Sequence, residues 1–399
     1  MANEKNFRLT ELRLYKEDTA NVIPANPKTL LVDGLINFNV KETQKTEVNT
    51  KLNAGGQGSK KDRGSSDFAG NLECKTTGDL MPFIVTHVMG TPDSVVSAAT
   101  DAWTTLTAYA KFEKHTLAGD IVSLPGTPAY FLVCKKAGTT GATEPVPTKV
   151  GEIIITDGDA VWEARKPIWK YEGSTQSCMS SFGVEGVSTS GCSLTPDTFS
   201  KRFEGNYLNS YEFSKSNGTV IHKYAMPVMG SSAVDSVIGN QDGSAFTSIV
   251  DETGWTDVVT EDKAFQYDDL MIQFDDLEPV DARDFTMSIN RNVTLDDALE
   301  IGTKVYDNAT MVVEGSYSLK FTKEQYEKSY NSTAQVLKVL YGNDSGAVAH
   351  FTMPNVEADR VDPDFTTDKV HYMTPSLTAS GDNTSHTISY VVYSEVDYQ

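Results

Sequence analysis

The chain is poor in the residues through which enzymes and secreted proteins usually declare themselves. It has four cysteines in 399 residues: Cys74, Cys134, Cys178 and Cys192. None forms a Cys-x-x-Cys pair, and no histidine stands at metal-ligand spacing from them, so neither a zinc knuckle nor a redox dithiol is specified. They read as reduced, buried thiols. A Cys178–Cys192 bridge across a tight hairpin is the alternative, which a cytoplasm disfavours. No run reaches the eighteen apolar residues of a membrane-spanning helix. Met1 to Leu9 is polar and lacks a signal-peptide core, which points to synthesis and use in a cytoplasm. On that reading the six Asn-x-Ser/Thr sequences, Asn217-Gly-Thr and Asn331-Ser-Thr among them, are composition rather than glycosylation sites.

Catalytic signatures are missing too. The six histidines (His87, His115, His222, His350, His371 and His386) have no His or Cys at ligand spacing. There is no nucleophile elbow, zincin motif, P-loop or dinucleotide fingerprint. Gly183-Val-Glu-Gly186 and Gly55-Gly-Gln-Gly58 read as turns. No metal site and no cofactor is called for. Positive charge is the last shortage. Lys and Arg number 34 against 55 Asp and Glu, giving −21 and a pI near 4.7. Such a surface repels phosphates and does not bind DNA by neutralising it.

What the chain does have is period-two patterning, the mark of antiparallel strands with one buried face. Phe7 and Leu9 alternate with polar residues, and Leu12 and Leu14 resume the alternation after a one-residue shift. Ile36, Phe38 and Val40 form a second set, Tyr207, Tyr211 and Phe213 a third, and Phe285, Met287 and Ile289 a fourth. The clearest is Met311, Val313, Gly315, Tyr317, Leu319 and Phe321. His222 falls in a strand pattern from Thr219 to Met226. Helices are few. Gly78 to Met89 suits a short one with Pro82 in its first turn. Glu324 to Leu340 suits a longer one, with Tyr326, Tyr330, Val336, Leu337 and Leu340 on one stripe and Gly342 as its stop.

Three regions differ in composition. Residues 42–66 are polar and Gly/Ser-rich, with five basic residues (Lys45, Lys51, Lys60, Lys61 and Arg63) and three acidic ones. They read as a surface loop, or as an arm that orders against a partner. Residues 251–284 hold twelve acids and two basic residues, with Asp268, Asp269, Asp275 and Asp276 among apolar neighbours. Their spacing is not that of a calcium loop, and a solvated acidic face is expected. Residues 102–168 hold seven basic and seven acidic residues, so the remainder carries the −21. That break marks a module with its own job.

The neutral stretch runs through Trp103 and Tyr109, Gly119-Asp120, Tyr130 to Cys134, Ala137-Gly138-Thr-Thr-Gly141, Glu144-Pro145, and Asp157-Gly158 followed by Val161-Trp162. In that order it resembles a small β module of bacterial virus particle proteins, itself similar to sugar-binding domains. Trp103, Tyr109, Tyr130 and Trp162 are its expected core, and plain decoration its expected role. The flanks carry Phe203-Glu-Gly-Asn-Tyr-Leu-Asn-Ser-Tyr-Glu-Phe213 before the 218–226 strand and Gly230. They continue with Asp284 to Val293, Ile301-Gly302, Val313 to Leu319 and Phe351-Thr-Met-Pro354-Asn-Val356. These resemble tail tube proteins of long-tailed bacteriophages.

The resemblance implies a mostly β protein: a tail-tube-type β-sandwich or barrel with a short flanking helix, interrupted by the small all-β module. Residues 1–101 and 169–399 form the tube domain, and 102–168 an external insert. It implies rings of this chain, usually six, stacked into a conduit for viral DNA, with 42–66 reaching the next ring. Its partners are further copies and other tail proteins such as the tape measure and terminator; DNA passes without specific binding and no membrane is involved. Asp268, Asp269, Asp275 and Asp276 are candidates for the lumen or an interface. A carbohydrate-binding host-recognition protein, a glycosidase with two carboxylates in a cleft, and a capsid or terminator protein are the alternatives.

Overall fold

The structure, a computed structural model, describes residues 7–18, 24, 28–32, 35–39, 41–48, 61–75, 77–127, 129–175, 179–190, 198–216, 219–228, 233–235, 256–258, 265, 269–275, 277, 282–296, 305–308, 311–320, 322–331, 333–360, 372–381 and 387–398. It is mostly β. Two antiparallel sheets face each other across a common core. The first runs in the order Leu35–Phe38, Lys61–Lys75, Thr219–Val228, Ser210–Ser216, Asp284–Asn290, Val312–Lys320 and Ser376–Ala379. The second runs Ser94–Ser97, Trp169–Ser174, Ser389–Ser394, Val348–Ala358, Gln335–Gly342 and Leu270–Phe274. Ser376–Ala379 also pairs with the end of Val348–Ala358, so the sheets share a corner. A third group, Lys28–Leu31, Phe7–Lys16, Phe182–Ser190 and Thr198–Asn206, joins the first sheet at Asn206 and Val228. Among the described residues the strands close no barrel, so the sandwich half of the expectation is the one realised.

Alternation puts the core where the sequence pattern points. Tyr211 and Phe213, then Phe285, Met287 and Ile289, then Val313, Tyr317 and Leu319 are buried on the inner face of the first sheet. Phe213 sits at the centre, 5.5 Å from the Phe285 ring and 5.2 and 6.1 Å from Tyr341 and Phe351 of the opposite sheet. Such rings bury large areas at favoured offset and edge geometries, and dominate a core of this kind. The one-residue shift after Leu9 is a β-bulge: the pairing of Phe7–Lys16 with Phe182–Ser190 slips between Leu9 and Glu11.

Two expectations change. The 183–186 stretch is not a turn but the interior of the Phe182–Ser190 strand. Tyr15 lies opposite Gly183, and a methyl group there would overlap the Tyr15 ring, so glycine makes room for the cross-strand aromatic. The second helix covers only Lys323–Tyr330; Val336, Leu337 and Leu340 belong to the Gln335–Gly342 strand. Gln335, Leu337, Val339 and Tyr341 are buried there, a period-two face that the 3.6-residue reading overlooked. The first helical segment does form, as the consecutive turns Gly78–Leu80, Met81–Ile84 and Val85–Met89. It is buried all round, as its MPFIVTHVM sequence requires. Phe83 packs edge-on against Phe182 at 5.0 Å and Tyr398 at 5.8 Å. Beside it His87 bonds the Ser180 carbonyl and the Tyr398 hydroxyl, each at 2.9 Å. Burial depresses its pKa to about 3, so the ring is neutral: Nδ1–H donates to Ser180 and Nε2 accepts from Tyr398.

Candidate functional site

Two surfaces distinguish this molecule from an ordinary sandwich. The first is an arm. Residues 42–66 are not an irregular loop where they are described: Lys41–Val48 pairs antiparallel with Lys61–Lys75 from Lys41↔Ala69 to Val48↔Lys61. At the arm's base Asn39 and Asn71 exchange two bonds, Asn39 N–H to the Asn71 carbonyl at 3.1 Å and Asn71 N–H to Asn39 Oδ1 at 2.8 Å. On its other side the long strand pairs with Thr219–Val228 only as far as Phe68. Residues 61–67 therefore have Lys41–Val48 as their one strand partner among the described residues. Seven residues at ~3.3 Å each make this two-stranded stretch ~23 Å long.

Behind the arm, the outer face of the first sheet is uniform. Ser210, Glu212 and Ser214 stand in register with Asn290, Ser288 and Thr286, and these with Val312, Glu314 and Ser316. Thr286 and Ser316 share a hydrogen bond of 2.8 Å. The face continues to Ser376 and Thr378 and, on the arm side, to positions Lys223 and Glu73. It is made of small hydroxyl residues with scattered charges.

The second surface is the module. Ile153–Asp157, Ala160–Arg165, Phe131–Lys136, Ile121–Ser123 and Asp101–Ala102 form their own five-stranded sheet, beside a two-stranded one of Ala108–Tyr109 with Gly138–Thr139. Trp103, Tyr109 and Trp162 are buried in one cluster with Leu132 and Cys134, and Tyr130 packs against it. Both indoles converge on a buried carboxylate. Trp103 Nε1 and Trp162 Nε1 donate to Asp157 Oδ2 at 3.0 and 2.8 Å, and Gly141 N–H donates to Oδ1 at 2.8 Å. Gly158, with φ 64°, turns the chain directly after this aspartate. Held inward, the two tryptophans and Tyr109 offer no stacking platform to a sugar. Burial lifts the Cys134 thiol to about 11 and keeps it unreactive.

The module is not tethered loosely. Leu132 and Cys134 face its own core, whereas the alternate residues Phe131 and Val133, with Phe112 and Ile121, pack on Ile168 at the module's end and on Ala98, Val348 and Tyr393 of the main body. The sheet is thus buried on both faces, which explains the unbroken apolar run from Phe131 to Cys134. Ion pairs ring this dry contact: Lys114 with Asp269 at 3.0 Å, and Arg165 with Glu395 at 2.6 Å. His350 Nε2 bonds the Lys114 carbonyl at 2.9 Å.

A model of phage tail tube proteins matches residues 8–385. The chain belongs to the phage tail tube protein family. No curated protein matches it. The family is a structural one located in the virion tail, and its members assemble with copies of themselves and with other tail proteins.

The structure places the sequence-derived residues of this tail tube protein unevenly. Lys45 lies on the first arm strand, and Lys61 and Arg63 on the second, while Lys51 and Lys60 fall outside the described residues. Of the four aspartates, Asp268 and Asp276 also fall outside. Asp269 is not part of a solvated acidic face: its side chain is 14% exposed and holds Lys114 of the module. Asp275, at φ 51°, bonds Lys328 Nζ and the Val336 amide, each at 3.0 Å, and this pairing lowers its pKa. Both acids tie parts of one chain together. Cys74 and Cys134 are free thiols; Cys178, Cys192 and Gly55–Gly58 lie outside the described residues. Among the described residues no group of three or more acids, histidines or cysteines is placed to hold a metal ion. Asp157 stood in the module's motif with no role assigned to it, and the hydroxyl face was contained in the polar half of the period-two pattern.

Proposed function

We propose that this protein closes into rings of six and that the rings stack, through the arm, into a hollow conduit for viral DNA. The role is structural rather than catalytic. The two-stranded arm is the observation that carries this reading. A two-stranded ribbon without an apolar face is marginal in water. Residues 61–67 contain no apolar side chain, and 41–48 contain only Val48. Laid against a second subunit, the ribbon gains partners for its open edges, the usual route by which strands recruit strands. Lys45, Lys51, Lys60, Lys61 and Arg63 give it a positive character that suits the acidic body of a copy in the next ring.

With Asp269 and Asp275 engaged inside the chain, the hydroxyl face around Glu212 and Glu314 is the better candidate for the bore. Small hydroxyls offer a duplex no arginine fork and no aromatic ring to grip. Six copies at −21 each carry −126. With screening over ~10 Å, only the fraction of that charge at the wall acts on DNA. The module stands outside, since a folded insert in the bore would block a duplex. The protein's further partners are other tail proteins such as the tape measure and the terminator.

Deletion of residues 46–64 tests the reading. The expected product is a folded subunit, by circular dichroism, that forms no tubes in negative-stain electron microscopy. Tubes of normal length from the deleted chain refute the role of the arm. Intact protein that never forms hollow tubes refutes the conduit itself.

A further inference from the structure

The outer edge of the module carries an apolar strand that no strand of the body pairs with among the described residues. Ile153–Asp157 is the last strand of the five-stranded sheet, and no described strand pairs with its outer side. Ile154 points into the module core, in register with Trp162. Ile153 and Ile155 point the other way and are 51% and 69% exposed. That is the face on which the module docks: Ile153 is in register with Glu163, and Glu163 with Val133 of the dry contact. Glu163, paired with Lys135 at 3.1 Å and Arg165 at 3.6 Å, belongs to the ionic rim. The isoleucines lie beyond that rim and contribute nothing to docking. An open edge bearing exposed β-branched residues is a template for association, and natural sheets normally blunt it with lysine or proline. The 152–156 sequence, Glu-Ile-Ile-Ile-Thr, has neither.

We infer that this edge is a contact between subunits of one tube, occupied by a second copy of the chain. The inference rests on the tube reading above. Area decides against a self-sufficient binding site. Two partly exposed isoleucines and one short strand edge supply a small part of the ~800 Å² per partner that a stable interface needs. The occupant is therefore a surface that other contacts already hold in place. The rigid dock fixes the edge relative to the body, so a ring or a stack presents it to a neighbour in the same way at every repeat. Charge agrees. The module has seven basic and seven acidic residues between 102 and 168, so it approaches a strongly acidic neighbour without the repulsion that two tube bodies would feel.

Hydrogen exchange on the full-length protein, as dispersed subunits and as tubes, reads this directly. Amides of 153–157 should slow by roughly tenfold or more on assembly. In a paired measurement, Ile153→Asp with Ile155→Asp should leave the melting of dispersed subunits unchanged, because both side chains are exposed, but lower the temperature at which tubes fall apart, since apolar contact is lost and like charge is set against the acidic neighbour. Equal exchange in tubes and subunits, or unchanged tube dissociation in the variant, overturns the inference while leaving the conduit intact. Protection already present in dispersed subunits and growing with concentration assigns the edge to a free-standing dimer and overturns the tube contact. Protection that appears only in whole tails, and not in tubes of this protein alone, assigns it to another tail protein and likewise overturns it. If the protein forms no tubes at all, the conduit reading falls and this inference with it.

Discussion

Asp157 is the most exposed point of the module's design to a single substitution. Its carboxylate accepts three hydrogen bonds: two from the buried indoles of Trp103 and Trp162, and one from the half-buried Gly141 amide. Asp157→Ala leaves all three donors unanswered. A buried donor without an acceptor costs about 1–3 kcal/mol. Relaxation of the Gly141 loop recovers part of this, so the expected loss is about 3–6 kcal/mol, enough to unfold a small module. Asp157→Asn retains one acceptor oxygen and turns its amide toward at least one of the donors; it should cost about 2–3 kcal/mol. Trp103 and Trp162 are two of four tryptophans, so guanidinium unfolding followed by tryptophan fluorescence reports the module's transition. A double-mutant cycle with Trp103→Phe should return a coupling of about 1–2 kcal/mol, because the second change removes one stranded donor. An Asp157→Ala protein within about 1 kcal/mol of the parent, with no coupling to Trp103, refutes the claim that this carboxylate organises the module core.

Two further outcomes follow from the buried groups. His87 and His350 have folded-state pKa values depressed by burial to about 3 and about 4, from an ordinary value of 6.5. Each favours the fold fully above pH 6.5. That contribution is lost as pH falls toward the folded values, at about 1.4 kcal/mol per unit per histidine, because only the unfolded chain takes up the proton. Denaturant midpoints should therefore fall between pH 7.5 and pH 5, and His87→Gln should flatten the slope; an unchanged slope counts against a neutral His87. Gly183→Ala should cost about 1–3 kcal/mol by driving a methyl group into the Tyr15 ring. Combining it with Tyr15→Ala should cost less than the two losses together, and strict additivity in calorimetry would show that the two residues do not compete for the same space.

Much of the fold was legible because one face of each strand is buried. Phe285, Met287 and Ile289 alternate with polar residues for that reason, and the break after Leu9 reads as a bulge because a slip of one residue would turn every side chain to the wrong face. The errors share a cause. Val336, Leu337 and Leu340 fit a helical stripe, but Val339 and Tyr341 complete a strand face, and a short apolar run carries both periods at once. The arm strands escaped notice because neither face is apolar, so no alternation marks them. The engagement of Asp269 was hidden because its partner, Lys114, is 155 positions away and lies in the module. Local pattern finds what packs against the core and is silent about which distant cation a carboxylate will meet.

The insert enters and leaves through neighbouring strands. Ser94–Ser97 and Trp169–Ser174 pair antiparallel, and the Ala98 amide bonds the Ile168 carbonyl at 2.8 Å where the chain departs. Topologically, everything between them is the tip of a hairpin, and a hairpin tip can be exchanged without rethreading a sheet. The body nevertheless does not treat it as an empty socket. Ala98, Val348 and Tyr393 form an apolar landing pad that the module covers. A shorter loop grafted there would leave that pad wet and sticky on every subunit of a tube. A foreign domain grafted at this position therefore has to bring its own apolar underside, one that can sit down on the body as well as stand out from it.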